Sequence, residues 1–449
     1  MSGAPVTGGG GGPPSKEWVI RDPIHGNIEP TDQEIQVMDT PLFQRLRFVK
    51  QLANTHLIFP GATHTRFEHS LGTMWVAGQM AARTWPGGDS REKEERSRII
   101  RLTGLLHDLG HGPFSHTSET IVARRIKVDR FSNVTIAADA IASDPKIREA
   151  LKGDYDRVAD LLQKKGRVGV DFEILDGPLD GDKFDYLIRD SYYCGIPYGN
   201  ADTLRLLYSL RRVEDPPRGT ALGVSRKGIE AVQYLQLARY QMHRNVYHHK
   251  TRRIADAMLV RATLLAIETG KCLDSNYFDY RQSDPSFLEH YFSLDDASLM
   301  RRVIDGGGTA GGIMAALRSR KLFKVAHQVD LAAEAKTLGA RWALRIINMK
   351  PDEIKSTEEQ IASEAKVDPN LVIVDVDTVE NPTFRGATDN LALQTVLVDV
   401  KPRPRWISEM AGIWTSESEY VSMRADVFCP EEYRAKVKAV SPQVFQSIK

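Results

Sequence analysis

The sequence has little cysteine, with three residues in a chain of 449. Cys194, Cys272 and Cys429 are odd in number and far apart, which argues against a disulfide framework and for a reducing compartment. None of them has the spacing of a zinc finger. A small secreted scaffold held by disulfides is therefore excluded.

Long apolar runs and an excess of one charge are also missing. No segment approaches the roughly 18 consecutive apolar residues that span a bilayer, so we expect no membrane partner. The 60 basic residues face 59 acidic ones, and this balance gives no overall field to attract nucleic acid, which is not an expected partner. The N-terminus lacks the basic and apolar segments of a secretory signal, so the expected location is the cytoplasm.

Composition and periodicity divide the chain into three parts. Residues 1–16 are rich in glycine and proline and are expected to be a disordered tail. In the predicted core, residues 17–345, apolar residues recur three and four positions apart, as in helices. Residues 346–449 contain β-rich, proline-punctuated segments and are expected to form a smaller α+β lobe.

Two patterns refine this mainly α prediction. The stretch RVEDPPRGTALGVSRKG has turn residues between short alternating segments and predicts a small hairpin inserted in the helical core. It is followed by one long helical pattern, EAVQYLQLARYQMHRNVYHHKTRRIADAMLVRATLLAIE.

A candidate metal site stands out among the helical segments. His107 and Asp108 are adjacent in TGLLHDLGHGPFSH, His69 lies upstream in HTRFEHSLG, and Asp182 lies downstream in DGDKFDYLIRD. Two imidazoles and two carboxylates suit one Fe, Mn, Zn, Co or Mg ion that keeps open positions for water and a phosphate oxygen. Such an ion promotes hydrolysis at phosphorus.

The order of these residues constrains the local backbone. Adjacent helical residues point about 100° apart, so His107 and Asp108 can share an ion only near a helix end or where helices cross. Gly110 and the following Gly-Pro pair predict that end. His111 and His116 are then expected on the loop after the helix, near the metal.

The string HDLGHGPFSH, with FEHS before it and DKFDYLIRD after it, resembles the HD-domain superfamily of metal-dependent phosphohydrolases. Within it the sequence is most similar to the dNTP triphosphohydrolase, or dGTPase-like, branch, from IRDPIHGNIE at residue 20 onward. The resemblance implies hydrolysis of (deoxy)nucleoside triphosphates to nucleoside and inorganic triphosphate. It also implies one divalent metal, a second Mg²⁺ that could accompany the nucleotide, and a homo-oligomer, either a dimer or a tetramer.

The same resemblance assigns roles to individual residues. The four proposed ligands match the family's metal ligands. His111 and His116 match histidines placed against the phosphate under attack, and Glu119 matches a carboxylate that orients His116. Arg66, Lys183 and Arg239 match residues that neutralise the triphosphate. The implied contacts to the sugar, and the remainder of the substrate pocket, are Gln51, Leu52, Tyr186, Asp190, His243 and Tyr247.

One active-site position departs from the family pattern. Asn133, in RFSNVTIAAD, stands where the family usually has a further histidine followed by glutamate. Asparagine can hydrogen-bond a phosphate but cannot exchange a proton near neutral pH. Three outcomes stay open: His116 with Glu119 suffices, the substrate is another nucleotide cleaved by phosphatase or phosphodiesterase action, or a catalytically impaired domain senses nucleotides.

A nucleotide effector site is also implied by the resemblance. The residues that match it are Asp39, Gln44, Arg47 and Lys227. Arg21, Asn27 and Ser225 depart from the mammalian pattern at neighbouring positions. Effector-driven oligomerisation with a different geometry or effector preference is therefore expected.

Overall fold

The computed structural model describes residues 18–85, 89–128, 130–163, 169–215, 219–380, 396–400, 403–406 and 420–448. The expected tail, residues 1–16, lies outside these ranges. Among the described residues, no helix is both long enough and apolar enough to pass through a membrane.

Helices dominate the described chain, as the sequence predicts. The helices of the first half are α1 (Asp32–Met38), α2 (Pro41–Gln44), α3 (Arg66–Thr84), α4 (Ser90–Leu106), α5 (His116–Arg125), α6 (Asn133–Ser143), α7 (Pro145–Leu151), α8 (Tyr155–Gln163), α9 (Val170–Leu175), α10 (Gly181–Cys194) and α11 (Thr203–Ser209). Those of the second half are α12 (Ile229–Met242), α13 (Lys250–Thr269), α14 (Pro285–Phe292), α15 (Asp296–Gly306), α16 (Gly308–Arg318), α17 (Leu331–Leu338), α18 (Ala340–Ile347), α19 (Pro351–Ala365) and α20 (Arg434–Ser447).

The helix α3 lies at the centre of the first hydrophobic core. Glu68 Oε2 accepts the backbone N–H of Thr65 at 2.7 Å and so satisfies a donor at the start of the helix. Both α4 and α10 pack along α3. Residues of α3, α4, α6 and α8–α12 bury their apolar sides in one cluster, and this packing sets the relative positions of the candidate ligands.

The long helical pattern is interrupted in the structure, so the expectation of one continuous helix is wrong. The helix α12 ends at Met242, a π-helical turn spans His243–Tyr247, and α13 begins at Lys250. The π turn places an extra residue in the helical path, as such bulges do near functional sites. The helices on either side of the π turn belong to different hydrophobic cores. The helix α12 packs in the first cluster, whereas α13 packs in a second cluster with α14–α16.

The predicted hairpin is confirmed and belongs to a larger sheet. The strands β3 (Leu210–Asp215) and β4 (Gly219–Ser225) pair antiparallel, from Leu210 opposite Val224 to Asp215 opposite Gly219. A C-terminal strand, β7 (Leu397–Asp399), adds parallel to β4, and β8 (Arg405–Trp406) follows it. Near the N-terminus, β1 (Ile20–Asp22) and β2 (Gly26–Ile28) form a separate short hairpin.

The β-rich segments of the C-terminal region contribute to a three-stranded antiparallel sheet. Its central strand is β9 (Tyr420–Cys429), flanked by β5 (Lys324–Asp330) and β6 (Ile373–Glu380). Apolar residues of this sheet and of α17–α20 form a third core. The strand β5 precedes residue 345, and the domain boundary drawn there from the sequence stays a prediction.

Candidate active site

Two neighbouring helices place the first two candidate ligands. His69 lies in the first turn of α3, and His107 caps the C-terminal end of α4. The His107 ring donates its Nδ1–H to the carbonyl of Gly104 at 2.7 Å. The helix end lets Asp108 turn toward the same point, as the local sequence predicts.

Four acceptor groups converge at this point. His69 donates its Nδ1–H to Asp185 at 2.7 Å, so in both neutral rings the unprotonated nitrogen is Nε2, and the two Nε2 atoms face each other at 3.2 Å. Asp182 Oδ1 lies 2.9 Å from Nε2 of His69, and Asp108 Oδ1 lies 3.3 Å from Nε2 of His107. Lone pairs at such distances repel one another unless a proton or a metal ion lies between them.

The electrostatics of the cluster agree with a cation site. Burial favours a neutral His69 ring, but the hydrogen bonds that the ring donates to Asp182 and Asp185 outweigh it and raise the pKa of His69 to about 10. The site thus favours positive charge where the nitrogen and carboxylate ligands meet. Nitrogen and oxygen donors fit a divalent ion of the Fe, Mn, Zn, Co or Mg type.

A second layer of buried residues orients His69 and was missed by the sequence reasoning. Asp185 accepts hydrogen bonds from His69, from His25 Nε2 at 2.7 Å and from two nitrogens of Arg189 at 2.8 Å. Such partners fix the tautomer of a ligating histidine. The sequence did carry a signal for Asp185 and Arg189, since they follow Asp182 at helical spacing. It carried none for His25, which comes from the distant β1–β2 turn.

The turn after Asp108 is held by long-range contacts. Phe114 and Ser115 have φ values of 59° and 55°, the left-handed region that costs energy for such residues. Asp296 accepts the N–H of Phe114 at 2.6 Å, and the buried Arg45 donates to the carbonyls of His111 and, at 3.4 Å, Leu109. Sequence reasoning missed Asp296 and Arg45 because nothing local marks such contacts.

Both His111 and His116 lie close to Glu119. The structure corrects one expectation, since His116 is the first residue of α5 and only His111 lies on the loop. His116 Nδ1 donates to Glu119 Oε1 at 2.8 Å, and its side chain is 66% exposed. His111 is buried, with Nε2 at 3.2 Å from Asp108 Oδ1 and its ring centre 4.8 Å from that of His116. Burial and the charge of Arg66 lower the pKa of His111 to about 4, so its ring is neutral at neutral pH.

A cavity of about 420 Å³ opens beside the ligands. It is lined by three basic residues expected from the sequence, Arg66, Lys183 and Arg239. Arg66 is buried and donates to Asp108 Oδ2 at 2.6 Å, so much of its hydrogen-bonding capacity is used within the protein. Lys183 pairs with Asp180 at the start of α10. Arg239 Nε has no hydrogen-bond partner among the described residues.

The other end of the cavity presents a polar pocket. Asp190 accepts hydrogen bonds from Tyr247 at 2.7 Å and from the buried His64 at 2.8 Å. The Tyr186 and Tyr247 rings lie 6.1 Å apart, edge to face. Gln51 Oε1 is buried without a hydrogen-bond partner in the described part of the chain, so a ligand hydroxyl that donates here would satisfy it. His64 was not predicted, although it lies two residues before Arg66.

The remaining expected pocket residues also line this cavity. They are Leu52, His243 and Asn133. Asn133 is the first residue of α6 and only 8% exposed. A Cβ at Gly110 would lie 2.0 Å from the Asn133 carbonyl oxygen, so the absence of a side chain at Gly110 permits this approach.

The predicted effector residues lie apart from the cavity lining. Gln44 donates to the carbonyl of Met38 at 2.7 Å, and Arg47 donates to Gln44 Oε1 at 2.7 Å. The Arg47 guanidinium also lies 3.5 Å from the Phe67 ring centre. Asp39 is exposed at the end of α1, and Lys227 is exposed after the β3–β4 hairpin. Their role in effector binding stays a prediction.

Family comparisons match both halves of the chain. The model of the HD domain matches residues 66–169, which contain the candidate ligands from α3 and α4. The model of the HD-associated region matches residues 201–447, more than half of the chain.

Similar full-length proteins extend these matches. An uncharacterized protein of Methanocaldococcus jannaschii is 35% identical over 285 residues, 64% of this chain and 57% of that protein. The deoxynucleoside triphosphate triphosphohydrolase SAMHD1 homolog of Dictyostelium discoideum is 32% identical, over 70% of this chain and 61% of its own length. Human deoxynucleoside triphosphate triphosphohydrolase SAMHD1 is 28% identical, over 80% of this chain and 62% of its own. The chain thus spans about three fifths of these relatives, and with the ligand cluster and both family matches it belongs to the HD-domain proteins that carry the HD-associated region.

Proposed function

We propose that the protein is a metal-dependent dNTP triphosphohydrolase, which converts a deoxynucleoside triphosphate to the deoxynucleoside and inorganic triphosphate. The observation that carries this proposal is the convergence of two histidine nitrogens and two carboxylates beside a cavity with basic residues at one end and a polar pocket at the other. The names of the Dictyostelium and human relatives agree with this chemistry.

The residues that would hold the ion are His69, His107, Asp108 and Asp182. When bound, the ion would polarise a phosphoryl oxygen and make water a stronger nucleophile at neutral pH. Asp185 would fix the His69 ring so that Nε2 points to the ion.

The basic residues of the cavity would hold the triphosphate. Arg239 has an unpartnered Nε and a planar guanidinium that can grip two phosphate oxygens. Lys183 supplies a point charge beside it, although Asp180 offsets part of that charge. Arg66 would act mainly by keeping Asp108 ionised and aimed at the metal.

Hydrolysis adds the water oxygen to the α-phosphorus and breaks the bond from that phosphorus to the sugar 5′-oxygen. The leaving oxygen then needs a proton. His116 can supply it from Nε2, because Nδ1 is already hydrogen-bonded to Glu119 and the ring is exposed to the cavity. His111, neutral and buried, would support the His116 ring by edge contact.

The polar pocket would recognise the sugar. A 3′-hydroxyl that donates to Gln51 Oε1 would satisfy the orphaned acceptor. Asp190 and Tyr247 are hydrogen-bonded to each other. Together with Leu52 and Tyr186 they would form the wall of the pocket against which the deoxyribose packs.

Several wider features belong to the same proposal. We expect one resident divalent ion, a second Mg²⁺ with the nucleotide, a homo-oligomer and a nucleotide effector at Asp39, Gln44, Arg47 and Lys227. We also expect a cytoplasmic location, and the three free cysteines support this part of the proposal.

Asn133 favours a second candidate function. Its position in the cavity wall, where the resemblance leads us to expect a histidine, would suit cleavage of a different nucleotide or nucleotide binding without turnover. The two candidates differ in their products.

The experiment is an assay of the purified full chain with Mn²⁺, Fe²⁺, Co²⁺ or Mg²⁺ and each dNTP or NTP in turn. Release of inorganic triphosphate supports the main proposal, whereas orthophosphate, a monophosphate or binding without product supports the second. The Asp182→Asn variant should lose both the bound ion, measured by elemental analysis, and turnover. The Asp176→Asn variant, at another carboxylate of the same cavity, is the control and should keep its ion.

A further inference from the structure

A second basic cleft lies outside the catalytic cavity. It has a volume of about 650 Å³ and lies between the end of α5, the helix α13 and the start of α19. Seven basic side chains line it, against the acidic side chains of Glu268, Asp352 and Glu358. The excess of positive charge sets this cleft apart from a chain that is nearly neutral overall.

Part of that charge is already balanced. Arg125 pairs with Asp279 through two hydrogen bonds of 2.6 and 2.9 Å. Arg261 pairs with Glu358, which also accepts the N–H of Val374 at 2.9 Å. These contacts build the walls of the cleft.

Other cations of the cleft form no ion pair within the described residues. They are Arg124, Lys127, Arg130 and Lys355. Burial lowers the pKa of Arg124, and the nearby charge of Arg261 lowers it further, so that the opposing effect of Glu358 and Asp375 is outweighed. Like charges gathered in one cleft that has fewer carboxylates than cations repel one another, and a bound anion would relieve the repulsion.

The cleft is linked to the catalytic cavity through shared walls. A third cavity, of about 230 Å³, shares Arg124 and Arg261 with the cleft. It shares His116 and Arg252 with the catalytic cavity. Basic residues therefore follow one another from the proposed scissile phosphate to the surface.

We propose that the cleft is a second binding site, specific for a linear polyphosphate. It takes several phosphate groups at once, because its cations without an ion pair come from two separate segments, the end of α5 with the residues that follow it, and α19. The ligand is either free inorganic triphosphate or the triphosphate tail of a nucleotide. The site goes beyond the proposed function, since its occupancy requires no turnover.

The test is calorimetric titration of the full-length, metal-loaded protein with inorganic triphosphate. We expect two molecules per chain, one in the catalytic cavity and one in the cleft. The Arg124→Gln/Lys355→Gln variant should weaken the cleft event by about tenfold or more, the effect of losing charged hydrogen bonds. The Arg239→Gln variant should weaken only the binding of triphosphate in the catalytic cavity. The matched control is Lys336→Gln/Arg341→Gln, two exposed cations outside the cleft.

Two further arms identify the ligand. Stronger binding of bare triphosphate than of an imido nucleoside triphosphate assigns the cleft to the product, and the reverse assigns it to a nucleotide. Orthophosphate that binds as tightly as triphosphate would overturn the polyphosphate assignment. Unchanged triphosphate binding in Arg124→Gln/Lys355→Gln and in a second variant, Lys127→Gln/Arg130→Gln, would overturn the site itself, whether or not the protein hydrolyses dNTPs.

Discussion

The backbones of Gly110 and Asn133 are in direct contact, and no side chain would fit between them. A Cβ added at Gly110 would lie 2.0 Å from the Asn133 carbonyl oxygen and 2.5 Å from the Ala137 nitrogen. The turn that carries the histidine-aspartate pair is thereby fixed against the first turn of α6.

Replacing Gly110 with alanine should push α6 away from that turn. Overpacking of this kind costs about 1–3 kcal/mol, and we expect the free energy of unfolding, measured by chemical denaturation, to fall by that amount, with a loss of activity. The control is Gly312→Ala in α16, where no atom lies within 4 Å of the new Cβ. There the exchange should stabilise the helix by up to about 1 kcal/mol. Equal stability of Gly110→Ala and wild type would contradict the close contact.

Gln51→Leu should reduce recognition of the sugar without harming the fold. If the 3′-hydroxyl donates to Oε1, the loss of this hydrogen bond costs about 1–3 kcal/mol, or roughly 5- to 150-fold in kcat/KM for a dNTP. The 3′-deoxy analogue lacks the donor, so its kcat/KM should not change in the variant. Steady-state kinetics with both substrates measures the difference. An equal loss for the two substrates would show that Gln51 acts in another way.

Asn133→His should raise turnover if a missing proton-transfer group limits the rate. A well-placed general acid or base contributes about 10²–10⁴-fold, and we expect at least about a tenfold increase in kcat, with a new ionisation in its pH profile. Asn133→Gln is the matched control, because it adds length without a titratable ring. If the histidine variant is no faster than the glutamine variant, this position does not limit catalysis.

Acidification should destabilise the protein partly through His327. Burial, with the charge of Lys438, lowers the pKa of His327 below its ordinary value of 6.5. Below that pH the unfolded chain binds a proton that the folded chain does not, so this contribution to stability is present at neutral pH and lost as the pH falls through the folded pKa. His327→Gln should flatten the dependence of the unfolding free energy on pH between about 7 and 5. The control is His290→Gln, and an unchanged slope in His327→Gln would refute the assignment.

The sequence predicts most of the helical architecture because apolar spacing is a local property. It fails at the π turn, since His243–Tyr247 keeps a helical pattern while the backbone widens by one residue. The sequence also predicts His116 on the loop, but the structure places it at the start of α5. The positive φ at Ser115 lets this helix begin directly after a tight turn.

The grouping of the four candidate ligands was predictable from motif and side-chain chemistry, but most of the residues that support them were not. His25, His64 and Arg45 reach the site from segments far from their partners, at separations of 160, 126 and 66 residues for Asp185, Asp190 and His111. Periodicity carries no information about such pairs. The hydrogen bond from Arg66 to Asp108 has the same origin, and the phosphate contact expected of Arg66 stays a prediction.

The π turn separates Arg239, on α12, from α13, whose Arg253 pairs with Asp375 and Asp426 of the C-terminal sheet. Tyr247 lies at the turn itself, and its carbonyl accepts from Arg252 of α13 at 2.7 Å. A nucleotide that contacts both Arg239 of α12 and Arg252 of α13, which line the same cavity, would thus act as a crosslink between two hydrophobic cores. Occupancy of the cavity should suppress hydrogen exchange in the C-terminal sheet, far from any atom that the nucleotide touches.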